Sequence, residues 1–243
     1  RVSAASGVVR VLNPAGKVVM QGSGFFVAPD VFATAHHVVR NGVSATIEGQ
    51  GQVRFRVDGV VGLSQEHDLV LLRTTPASPA HLLVAESPPA VGDPIAVYGA
   101  PLGLAGTLST GIVSALSSAT PARLQISAPI SPGSSGSPVV ASDGSVVGVA
   151  VSSKTAGQAL NFAIPAQFLR RLLAGAGAVR PFVAVARGAG DDRERHELVG
   201  PVRLAAVVTE LHGGQAATQA PASAPGVTRA SYSGASSAAP ETA

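Results

Sequence analysis

An all-β fold is what this sequence predicts, and three observations carry that prediction. Short runs rich in Val, Leu and Ile recur along the chain, each bounded by Gly, Pro, Asn or Asp, which is the punctuation of strands. Several runs alternate, as in Gln52-Val53-Arg54-Phe55-Arg56-Val57, the period-two pattern of a sheet with one wet face. Between Ile95 and Ile164 six such signals are separated by glycine turns, a density that fits a β-barrel or sandwich better than alternating strands and helices.

Taken in order, residues 8–12 and 17–20 flank Asn13-Pro14-Ala15-Gly16 and read as a hairpin. Residues 22–28 lead from flexible Gly22-Ser23-Gly24 into an apolar strand, and Pro29-Asp30 turns the chain toward a further strand-like run over 31–39. Strands are expected at 43–47, 52–57 and 60–63, and Asp68 stands at the mouth of the apolar run 69–72. The first unit is thus 1–75. A Pro, Ala and Ser-rich connector over 74–89, with a short strand at 81–84, opens the second unit, 76–175. Its strands are expected at 95–99, 107–116, 123–128, 137–141, 146–152 and 160–164, followed by one short helix, 166–174. Pro165 starts that helix, Phe168, Leu169, Leu172 and Leu173 share a face, and Gly175 and Gly177 stop it. Residues 176–243 have no clear fold signal beyond strand-like pieces at 181–186 and 202–208 around the charged run 191–197, and the Ala, Ser, Pro, Gly and Thr-rich stretch 213–243 is expected to be disordered.

Composition narrows the function classes. The 243 residues are 46% hydrophobic and 13% charged, which requires a packed core. The net charge of +3 comes from 17 basic and 14 acidic residues that are scattered, so nothing points to nucleic acid. There are no cysteines, hence no disulfide and no thiolate chemistry. His67, His81, His196 and His212 lack metal-ligand spacing and are expected at the surface, so neither metal nor cofactor is expected. No apolar run reaches the roughly 18 residues of a membrane span. The visible chain opens on Arg1 and its one methionine is Met20, so it reads as a fragment or a processed form, in which a removed export signal would be invisible.

The chemically distinctive stretch is 128–140, Ala-Pro-Ile-Ser-Pro-Gly-Ser-Ser-Gly-Ser-Pro-Val-Val, a polar glycine-rich turn between apolar strands. A serine there is a nucleophile candidate, but its hydroxyl needs a histidine base, an acid to orient the base, and backbone donors for an oxyanion. His37, Asp68 and Ser135 stand in comparable settings, and two packed units would bring such loop ends into one cleft. Singly, each has a plain structural explanation: a turn serine, a histidine among valines, a strand-edge charge. His36 competes as base, and Asp58, Asp93 and Glu66 compete as acid. Strand alternation would turn His36 and His37 to opposite faces, and only Asp68 combines a polar approach with an immediately following apolar strand.

In the order His, Asp, Ser, the segments Thr34-Ala35-His36-His37-Val38-Val39, Asp68-Leu69-Val70-Leu71-Leu72 and Gly133-Ser134-Ser135-Gly136-Ser137-Pro138 resemble the chymotrypsin-like serine endopeptidases. Gly22-Ser23-Gly24-Phe25-Phe26, Thr110-Gly111-Ile112-Val113-Ser114 and Asn161-Phe162-Ala163-Ile164-Pro165 make the chain most similar to the bacterial HtrA/DegP-type proteases over residues 5–175. The resemblance implies two packed antiparallel six-stranded β-barrels with a short C-terminal helix. It implies His37 as general base, Asp68 as its orienter, Ser135 as nucleophile, and the N–H groups of Gly133 and Ser135 as oxyanion donors. It places a specificity pocket at Pro129, Ile130, Val151, Ser152 and Ser153, with the rim continuing to Thr155. With no carboxylate there, a small or aliphatic residue before the scissile bond is expected; hydroxyls at Ser153 and Thr155 keep a glutamyl preference open. Polypeptide substrates, a periplasmic or extracellular setting and homo-oligomers also come from the resemblance, although residues 1–7 offer little apolar surface for assembly. A catalytically inactive, peptide-binding member of the same fold is the alternative. Two departures stand out: Ser137 where the family usually has Gly, as in glutamyl endopeptidases, and no convincing PDZ domain after the helix.

Overall fold

The computed structural model describes residues 1–99, 106–117, 120–151 and 161–183. Its strands close into two six-stranded antiparallel barrels. The first holds β1 (Ser6–Leu12), β2 (Val18–Ala28), β3 (Val31–Ala35), β4 (Ser44–Gly49), β5 (Arg54–Ser64) and β6 (Leu69–Thr75), in the spatial order β1-β2-β3-β6-β5-β4. The second holds β7 (Pro94–Gly99), β8 (Thr107–Ser117), β9 (Arg123–Ile126), β10 (Pro138–Ala141), β11 (Val146–Val151) and β12 (Asn161–Pro165), in the order β10-β11-β12-β9-β8-β7. Helices α1 (Val2–Ala5) and α2 (His36–Val39) are single turns, and α3 (Ala166–Ala174) follows the last strand. Closure removes the open sheet edges that would otherwise invite pairing with other chains.

Local chemistry accounts for many of the boundaries. At the first hairpin the Asn13 side chain accepts the N–H groups of Ala15 and Lys17, both at 3.0 Å, and Gly16 takes φ +74°. Bulges in β5, where its pairing with β6 slips between Val57 and Gly59 and between Val60 and Gly62, merge two expected strands into one that bends around the barrel. Helix α3 runs between Pro165 and Gly175 with Leu169 buried, as its sequence predicts.

Three apolar clusters hold the molecule. One fills the first barrel, where Phe26 meets Phe32 edge-on at 4.9 Å and Phe55 at 4.8 Å. Another, built on Ile95, Val97, Val113, Leu124, Ile126 and Val139, fills the second. The third is the seam between them, where Phe25, Ala33, Leu69 and Leu71 of the first barrel meet Val140, Val149 and Ile164 of the second, with Leu169 of α3. Strand β6 shows how one sequence serves both: Val70 and Leu72 point into the barrel, Leu69 and Leu71 into the seam. Burial on both faces is the reason its sequence is continuously apolar.

Four expectations change. The run 31–39 is a strand only to Ala35, and His36–Val39 form a helical turn whose first two N–H groups, those of His36 and His37, are bonded by Asp68. Residues 81–84 form no strand; Val84 makes one bridge to Val146, while the Leu82 N–H reaches Phe26 O at 2.9 Å and its side chain enters the seam. Residues 1–7, expected to offer little apolar surface for assembly, place Val2 and Ala5 in the same seam within the chain. After α3 the chain returns to the first barrel: Val60 and Arg180 exchange bonds of 2.9 and 2.8 Å, and Phe182, only 7% exposed, joins the first barrel's core. The pieces 191–197, 202–208 and 213–243 lie outside the described residues. Phe182→Ala is expected to destabilise the fold by about 3 kcal/mol in urea unfolding, the cost of emptying a buried aromatic site.

Candidate active site

The site starts from the backbone of Asp68. The residue sits at φ +57°, a left-handed angle that aspartate tolerates better than most residues because its short polar side chain can bond locally. The Asp68 N–H donates to Gln65 O at 3.2 Å, and its carbonyl accepts the N–H of His36 at 3.0 Å. So placed, the carboxylate grips the next residue twice. Oδ1 accepts the backbone N–H of His37 at 2.8 Å, and Oδ2 lies 2.6 Å from His37 Nδ1.

The electrostatics follow from that grip. Burial is the largest influence on the Asp68 carboxyl and pushes its pKa up, but the hydrogen bonds and positive charge offered by His37, with a smaller contribution from His36, outweigh it and hold the group below the ordinary 3.8. Near neutral pH Asp68 is therefore an acceptor only, so Nδ1 of His37 carries a proton toward it, and in the neutral ring Nε2 is the nitrogen with the lone pair. His36 and His37 separate as a helical turn separates neighbours: His36 is buried at 8% exposure, while the His37 side chain is 31% exposed. The strand alternation expected to turn His36 and His37 to opposite faces is replaced by a helical turn, and His37 is the histidine whose ring nitrogen meets the Asp68 carboxylate.

Ser135 is carried by the turn between β9 and β10, and that turn is fastened to the first barrel. The Ser23 N–H donates to Ser135 O at 2.8 Å, Ser23 Oγ donates to Gly133 O at 2.7 Å, and Thr34 Oγ1 donates to Ser23 O at 2.7 Å. Within the second barrel Gly136 N–H reaches Ala150 O at 2.8 Å. Gly133 and Gly136 take φ +95° and +90°, angles that L side chains rarely adopt. Gly22 lies between the histidine helix and the serine turn; a Cβ there would stand 2.7 Å from Val38 and 3.2 Å from Ser135 O. Ser23 and Thr34 were not singled out as site residues in the sequence. The signal was present as Gly22-Ser23-Gly24 inside an apolar strand, since glycines in a strand interior mark the close approach of another backbone.

The remaining candidates are placed as follows. Ser109 Oγ donates to Pro129 O at 2.8 Å and Asn161 Nδ2 to Ala128 O at 2.9 Å, which fixes the segment between β9 and Ser135. Pro129 is exposed, Ile130 packs against the second core, and half-buried Val151 packs against the seam. Ser152, Ser153 and Thr155 lie outside the described residues. The competing acids are occupied elsewhere: Asp58 with Arg56 and Thr75, Asp93 with the Ala90 N–H, while Glu66 is exposed. His81 is exposed, but His67, expected at the surface, is stacked on Phe168. Ser137 is fully buried, its Oγ makes no hydrogen bond among the described residues, and a Cβ at Gly99 would stand 2.2 Å from it.

Two substitutions and one titration test this geometry. Gly136→Ala would bring a Cβ to 2.1 Å from Ser23 O at a positive φ, and is expected to lower the urea midpoint while loosening the serine turn. Ser137→Ala removes a buried, unbonded hydroxyl and is expected to leave stability unchanged or raise it by about 1 kcal/mol. Because the folded-state pKa of Asp68 is depressed, its contribution to stability is complete above the unfolded value of 3.8 and is lost as pH falls through the lower folded value. Acid unfolding curves should accordingly be shallower in Asp68→Asn than in the parent over that range.

Comparison with known proteins agrees with this architecture. The family model described as the trypsin-like peptidase domain matches residues 22–149, a span that includes His37, Asp68 and Ser135. The chain is 34% identical over 181 residues to the magnetosome formation protease MamE of Paramagnetospirillum magneticum, covering 68% of this chain and 25% of that protein. It is 32% identical over 164 residues to the serine protease HTRA4 of Mus musculus, covering 63% of this chain and 33% of that protein. The chain thus spans about a quarter to a third of the length of these two relatives. Among solved structures, the active form of the Rv3671c protease from M. tuberculosis superposes with a TM-score of 0.67 at 25% identity, covering 74% of this chain and 84% of that one. Two closed barrels, the family match and these likenesses together show that the chain belongs to the trypsin-like serine peptidases, closely related to the HtrA-type and MamE proteases.

Proposed function

We propose that this chain is a serine endopeptidase in which Ser135 is the nucleophile, His37 the general base and Asp68 the residue that orients it. The observation that carries the proposal is the double grip of Asp68 on His37, at 2.8 and 2.6 Å, which leaves Nε2 as the unprotonated nitrogen. Ser135 Oγ attacks the carbonyl carbon of a peptide bond while Nε2 takes its proton. The resulting oxyanion is met by the N–H groups of Gly133 and Ser135; the positive φ of Gly133 and the diversion of the Ser134 N–H to Ser131 O at 2.9 Å support that assignment. Collapse expels the amine, which takes the proton from His37, and water then releases the acyl group from Ser135 by the same proton path in reverse order.

Substrate choice is proposed from the pocket wall. Pro129, Ile130 and Val151 offer no charge, so a cationic side chain would lose its water without gaining a partner. A small or aliphatic residue before the scissile bond fits that wall, presented by an extended segment of unfolded protein paired along β11. An exported, periplasmic or extracellular setting belongs to the same proposal and rests on the family alone.

A fluorophosphonate probe is expected to label Ser135 and to leave Ser135→Ala unlabelled, and a folded parent protein that never labels overturns the proposal. His37→Ala and Asp68→Asn should each lower kcat on the order of ten-thousandfold with the fold intact by circular dichroism. In a peptide library, cleavage after Ala, Val or Leu should exceed cleavage after Lys or Glu; the reverse order for Glu would assign the glutamyl preference instead.

A further inference from the structure

The turn that presents Asp68 is also held from the opposite side, by the helix that ends the second barrel. His67 precedes Asp68 directly, and its ring stacks on Phe168 of α3 with centroids 3.9 Å apart and planes 24° from parallel. Ser64 Oγ closes the same turn, accepting the His67 N–H at 3.3 Å and lying 3.0 Å from His67 Nδ1. The helix beneath is anchored: Leu169 is fully buried in the seam, and Leu172 packs against Gly62, where a Cβ would stand 3.2 Å from it. On the helix side Arg171 lies 5.8 Å from the Phe168 ring centre, and on the turn side Glu66 stands 3.9 Å from His67 Nε2. A peptide-bonded neighbour of Asp68 is thus clamped to a rigid element of the other barrel. The left-handed angle of Asp68, φ +57°, is the angle from which its carboxylate reaches both His37 groups. It is also an angle that drifts unless the surrounding structure holds it.

We propose that His67, stacked on Phe168, is a positioning residue: through it α3 sets the backbone angle of Asp68 and hence the orientation of His37. The proposal rests on the triad reading above. It implies that packing at the C-terminal helix of the second barrel governs the quality of the base in the first, without any contact between that helix and substrate.

The test uses the full chain with His67→Ala, Phe168→Leu and His67→Phe. His67→Ala and Phe168→Leu are expected to lower kcat for a cleavable peptide roughly tenfold with KM unchanged. His67→Phe, which keeps a ring against Phe168, should restore most of that loss. The double variant His67→Ala/Phe168→Leu should fall no further than the worse single one. A second readout needs no turnover: the low-field proton resonance of His37 Nδ1–H shared with Asp68 should shift upfield or broaden in His67→Ala and Phe168→Leu and return in His67→Phe. Variants that melt earlier yet keep kcat and the His37 resonance give His67 a purely structural role and overturn the proposal. If the parent cleaves no peptide, the triad reading fails by itself, and the resonance still decides whether His67 positions Asp68.

Discussion

The arrangement depends first on one fastening, that of the serine turn to β2 of the other barrel. Ser23 donates from its backbone to Ser135 O and from its side chain to Gly133 O, and Thr34 holds Ser23 in turn. These bonds are possible because Gly22 and Gly136 keep Cβ atoms out of the space where the serine turn meets the first barrel. Beneath them the seam cluster supplies the non-directional attraction, and the polar fastening selects the register within it. The turn that carries Ser135 on the second barrel is thereby fastened to the first barrel, which carries His37 and Asp68, without a disulfide.

The second constraint is electrostatic. A carboxylate shielded from water ordinarily resists ionisation, yet Asp68 remains charged because His37 offers it a backbone N–H, a ring N–H and positive charge. The same two bonds that help keep Asp68 ionised fix the orientation of the imidazole. The turn from Ser64 to Asp68 lies between this site and α3, which makes the helix part of the site's support.

Closure of the chain reinforces the seam. The connector after β6 crosses it with Leu82, the segment after α3 returns to Val60 and delivers Phe182 to the first core, and α1 adds Ala5 from the other terminus. Each of these pieces lacks strong periodicity and packs through a few side chains, so each draws its order from the barrels it joins.

Element types and their order were legible in the sequence, because they rest on local rules. Period-two alternation marks the strands, Asn13 and Gly16 make the first hairpin, and Pro165 and Gly175 bound α3. The pairing of Asp68 with His37 was foreseen on flanking residues and resemblance, while the 152–155 part of the expected pocket lies outside the described residues. Other features came only from tertiary structure. The helical turn at His36–Val39 replaces a strand that β-branched residues favour, because Asp68, distant in sequence, bonds the N–H groups of His36 and His37. The latch at Ser23, the stacking of His67 and the burial of Phe182 likewise depend on partners from remote segments. Local sequence sets what a segment prefers, and only the packed chain decides which distant backbone or ring it meets.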